Sequence, residues 1–65
     1  MDKFRELHRL YAELTVIMDA QKAFVVPRSA EHPAEWSQAE MERFAFLVRQ
    51  RNDIIAEITQ IEALP

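Results

Sequence analysis

The sequence predicts an all-α fold, an antiparallel helical hairpin of two long helices that dimerises into a four-helix bundle. Three observations lead there. Apolar residues recur at alternating spacings of three and four over two stretches. A connection bounded by Pro27 and Pro33 separates the two. The chain has only 65 residues, no cysteine and no metal-binding signature, so a small core has neither disulfide nor ion to reinforce it. A compact fold of this size buries roughly 60% of its unfolded surface, and an elongated hairpin buries less. With apolar residues at 49%, the chain is too hydrophobic for a disordered segment. Association is the expected stabiliser. The whole range 1–65 reads as a single domain.

The first helix is expected over about residues 2–25. Asp2 supplies an N-cap, although Arg5 stands where a capping-box acid belongs and Lys3 opposes the helix dipole. Leu7, Leu10, Leu14, Ile17, Gln21 and Phe24 form the seam, and Phe4, Tyr11, Met18 and Val25 flank it on one side. These are a, d and e positions of a heptad, the broad stripe of a bundle helix. The helix should end near Val25, because Pro27 lacks an N–H and drives Val26 out of the α region. Residues 26–36 form the connection. They are longer than the commonest helix–helix loops, with a path narrowed by the two prolines.

The second helix, about residues 37–63, has the sharper start. Ser37-Gln38-Ala39-Glu40 matches the capping box, and Trp36 with Met41 matches the hydrophobic staple that precedes and closes it. Phe44, Leu47, Ile54, Ile58 and Ile61 form its seam, and Val48 and Ile55 widen the stripe. Phe44-Ala45-Phe46-Leu47-Val48 is unbroken apolar sequence, and a helix apolar all round is normally covered all round. Leu47 should face the first helix, while Phe46 and Val16 point away from their stripes toward another chain. The expected interface is therefore Val16, Phe44, Phe46, Leu47, Val48 and Arg51.

Arg51 interrupts the second seam. Measured along a symmetric hairpin it falls level with Tyr11, near Leu10 and Glu13, where it would snorkel or pair with Glu13. Gln21, the polar residue of the first seam, lies nearer the loop and on this register is out of its reach. Seam polar residues of this kind fix register or oligomeric state.

Little in the chain resembles chemistry. The formal net charge is −3 and the pI about 5.2, which argues against nucleic acid or an anionic membrane as the main partner. Arg5, His8 and Arg9 form a small basic patch beside Lys3, but no aromatic residue interleaves for base stacking, and Glu57 and Glu62 should return alongside to offset it. Glu31, His32 and Glu35 cluster on the connection without the spacing of a metal site. Ser37 is committed to capping, and Ser29 has no base placed beside it by any motif. Neither a catalytic site nor a cofactor is expected. Glu6–Arg9 and Glu40–Arg43 are expected surface pairs, worth a few tenths of a kcal/mol. No apolar run is long enough to span a membrane, and the N-terminal residues lack a signal-peptide core. A cytoplasmic location follows as the expectation.

The pattern Phe44-x-x-Leu47-x-x-x-Arg51-x-x-Ile54-Ile55-x-x-Ile58 after a hairpin connection resembles the helical hairpins of small bacterial secretion chaperones, including the flagellar export type. The likeness spans residues 4 to 62 and extends to small size, acidity and scarcity of glycine. Longer members of that type continue with further helices past the point matching Pro65. The resemblance implies a non-enzymatic, partner-binding adaptor, chaperone or regulator that offers an apolar groove to a helix of another protein. Two other classes compete. One is a nucleic-acid-binding hairpin dimer using Arg5, His8 and Arg9, and the other is an antitoxin or subunit folded with a different protein.

Overall fold

The computed structural model describes residues 2–65. Met1, the first residue of the expected domain, lies outside them. Two helices, α1 (Lys3–Val25) and α2 (Gln38–Glu62), pack against each other in a rod 46 Å long and about 15 Å across. Among the described residues there is no strand.

Both N-termini form as their sequences dictate. The Asp2 carboxylate accepts from the backbone N–H groups of Phe4 (3.0 Å) and Arg5 (3.4 Å). The capping box of α2 is complete: Ser37 Oγ accepts from the Glu40 N–H at 3.1 Å, and Glu40 Oε1 accepts from the Ser37 N–H at 2.8 Å. Each arrangement satisfies donors that the first turn of a helix leaves unpaired.

The connection departs from expectation. Val26 stays in the right-handed helical region (φ −56°, ψ −48°), and its N–H still donates to Lys22 O. Val26–Arg28 then tightens into a 3₁₀ turn, with Ser29 also αR. The steric penalty on the residue before Pro27 is a preference, and here Arg28 works against it. Its Nη1 donates to Phe24 O at 2.7 Å, taking one of the carbonyls freed at the helix end, and its guanidinium lies 4.0 Å from the Phe24 ring centre. A second 3₁₀ turn, Pro33–Glu35, follows, with His32 Nδ1 accepting from the Ala34 N–H at 3.1 Å.

This helical continuation moves the apex of the hairpin. Phe24 stacks with Phe44 and Lys3 Nζ donates to Leu64 O, so residue 24 stands opposite 44 and residue 3 opposite 64. The turnover point is therefore at Pro33–Ala34, past the middle of the connection. Leu10 comes opposite Ile58 on this register. With Leu47 they are the buried apolar side chains among the described residues, Leu10 the most completely. The loop end is closed by aromatic rings: Trp36 meets Phe24 and Phe44 edge-on, each at 5.5 Å between centroids. Trp36 turns inward onto the two seams and lines one cavity together with Met41, its expected staple partner. Its Nε1 is buried without a hydrogen-bond partner.

Candidate interaction surface

The register decides which side chains can meet. Arg51 lies opposite Ile17, about one and a half turns nearer the loop than the Tyr11 level assigned from sequence. From there Arg51 Nη1 reaches Gln21 Oε1 at 3.4 Å, a pairing that the symmetric-hairpin register had excluded. The Glu13 expected to serve Arg51 instead accepts from Arg9 at 2.7 Å. Dividing the connection evenly caused both errors, because the helical continuation after Val25 shifts α2 along α1.

The six residues of the expected interface separate into different environments. Leu47 is buried in the hairpin, as its seam position requires, and Phe44 sits in the aromatic cluster. Val48 and Arg51 are half-buried. Val16, 66% exposed, and Phe46, 45% exposed, are open surface. The Arg43 guanidinium lies 5.7 Å from the centre of the Phe46 ring, leaving part of that ring free.

A larger apolar surface lies on another side. Phe4, Tyr11, Met18 and Val25 are seven residues apart and share one face of α1; Met41, Val48, Ile55 and, at the helix end, Glu62 do the same on α2. In an antiparallel pair these e positions border the same side of the seam, and two cavities fix this one. Val25 and Met41 line the same cavity at the loop end with Trp36 and Phe44. Met18 and Val25 line the next one beside Gln21 and Arg51. Phe4 is 79% exposed, and Tyr11, Met18, Met41 and Ile55 are roughly half exposed. The opposite flank carries Glu6, Glu13, Ala20, Arg43, Gln50 and Glu57. One side of the rod is therefore mainly apolar and the other mainly polar. Each helix supplied its half of the pattern in sequence, but the halves join into one flank only when the chain direction reverses.

Some of the charged residues are paired. Arg9 of the basic patch pairs with Glu6 at 2.9 Å as well as with Glu13, and the neighbouring Lys3 Nζ donates to Leu64 O. The hydrogen bond from Arg9 lowers the pKa of the Glu6 carboxyl. Arg5 and His8 are exposed. Glu40, expected to pair with Arg43, pairs with Arg28 at 2.7 Å. The Ser37 backbone N–H, then Arg28, hold its carboxyl down to about 2. Among the described residues no group of three or more His or acidic side chains could hold a metal ion, and His32 Nδ1 is occupied by the Ala34 N–H. No helix among them is long and apolar enough to cross a membrane.

Comparison with protein-family models, with curated proteins and with solved structures gives no match.

Proposed function

We propose that this chain is a non-enzymatic, cytoplasmic protein–protein interaction module, a helical hairpin that pairs with a second copy as a four-helix bundle and offers outward apolar positions to a helix of another protein. Its work is that of a small adaptor, a secretion-chaperone-like protein or a regulator. The supporting observation is surface area. The hairpin exposes 5048 Å², whereas a compact monomer of its mass exposes about 4,300 Å². The excess is of the order of what one partner contributes to a standard interface, roughly 800 Å². Val16 and Phe46 lie away from the apolar flank, so pairing through that flank leaves them free for a partner helix.

Sedimentation equilibrium of the intact chain from low micromolar to several hundred micromolar tests the reading. A dimer or larger species is expected throughout the upper range, with a thermal midpoint that rises with concentration. A cooperatively folded monomer at every concentration overturns it.

A further inference from the structure

The apolar flank has two unlike ends, and they match. At the terminal end Phe4 projects, the most exposed large apolar side chain among the described residues. At the loop end lies an apolar cavity of about 540 Å³ lined by Val25, Trp36, Met41 and Phe44, with Arg28 and Glu31 among its polar lining residues. Tyr11 and Met18 stand between the two. The midpoint of the flank falls between Tyr11 and Met18, at equal distance from Phe4 and from Val25.

From this we infer that the second copy seats on the flank in the reversed direction, so that Phe4 of each chain fills the loop-end cavity of the other. The inference rests on the dimer proposed above and adds its geometry. A two-fold axis crossing the rod at the midpoint carries α1 of one copy over α1 of the other, running oppositely. Phe4 then meets the partner's Val25, and Tyr11 the partner's Met18. The contact is isologous and closes on itself, leaving no open flank to propagate.

Charge is complementary in this seating. Arg5 and His8 are next to Phe4 in sequence and one turn along, with Lys3 nearby, whereas Glu31 lines the cavity and Glu35 belongs to the same loop. Reversed seating sets the basic residues near these acids. A two-fold axis along the rod would instead lay α1 of each copy over α2 of the other, and both cavities would stay at one end with no Phe4 to fill them, so cavity filling selects the reversed seating.

The chain contains no cysteine, so introduced thiols report the geometry cleanly. Equal amounts of full-length Tyr11→Cys and Met18→Cys chains, mixed and oxidised under mild conditions, should give mainly the mixed disulfide. Phe4→Ala should raise the dimer dissociation constant by about tenfold to a hundredfold, the range for losing an interface anchor. Asp53→Ala, at an exposed position of α2 off the flank, should leave it within about twofold, and circular dichroism on concentrated samples should show helicity retained in both. A wild-type dimer that ignores Phe4→Ala, or one whose Tyr11→Cys chains link preferentially to each other, overturns the seating while leaving the dimer intact. Wild-type protein that stays monomeric overturns both. Should Phe4→Ala fail to fold, the disulfide pattern decides alone.

Discussion

Arg28 and Glu40 join the two helices at 2.7 Å, the guanidinium coming from the turn after α1 and the carboxylate from the first turn of α2. Neither residue has this as its only bond. Arg28 also holds Phe24 O, and Glu40 also holds the Ser37 N–H. The C-terminus of one helix and the N-terminus of the next are thus capped through a single shared ion pair.

The acid limb of stability should follow from this. Glu40 is held at about 2, below its ordinary value of 4.5, by the Ser37 N–H and then by Arg28. Because the folded value is the lower one, its contribution is complete above about pH 4.5 and disappears as pH falls toward 2. Urea midpoints for wild type and Glu40→Gln, measured from pH 6 to pH 2, should converge across that window. Two curves that remain parallel would remove the linkage.

Ser37→Ala should cost about 1 kcal/mol, the usual loss for an N-cap hydroxyl. Glu40 keeps its bonds to Arg28 and to the Ser37 backbone in that variant, so the helix should fray at its first turn without detaching from α1. Loss of hydrogen-exchange protection confined to the amides of residues 38–41 is the signature to look for.

Leu47 and Phe46 are neighbours in sequence with different environments. Leu47→Ala should destabilise by 2–5 kcal/mol, the range for truncating a buried leucine. Phe46→Ala should leave the denaturant midpoint nearly unmoved and instead weaken capture of a partner helix. A midpoint shift for Phe46→Ala rivalling that of Leu47→Ala would assign Phe46 to the core.

Gln21 and Arg51 place a polar contact in an otherwise apolar seam. Replacing both with leucine should raise the denaturant midpoint, since apolar substitution of part-buried polar pairs is often neutral or stabilising. Gln21→Ala alone should lower it, because Arg51 then loses its acceptor and Leu47 loses neighbouring packing. The double substitution falling below Gln21→Ala would show that the pair stabilises the hairpin directly.

How well the sequence foretold the structure depended on the range over which each signal acts. Helix extent and both caps were legible because capping and periodicity are set within one or two turns, as Asp2, Ser37 and Glu40 illustrate. The seam residues Leu10, Leu47 and Ile58 followed for the same reason. The path after Val25 was not legible. The preference that Pro27 imposes on Val26 yields to a side chain, Arg28, that holds the helical continuation in place. That local error displaced the register, and with it the partner of Arg51. Phe4, Tyr11, Met18 and Val25 were recognised as a flank of α1. Their union with Met41, Val48 and Ile55 required knowing which edges of the helices come together.

Trp36 is the only tryptophan in the chain, and it stands among Phe24, Phe44 and the connection. Its fluorescence therefore watches one end of a 46 Å rod and is blind to the other. Circular dichroism averages over the full length. The terminal end, where Lys3 meets Leu64, has no covalent closure, whereas the loop end is tied by the chain itself. When the rod opens from its free end, ellipticity falls first and the indole signal follows. The separation between the two melting curves then measures how far opening has travelled before the last turns let go.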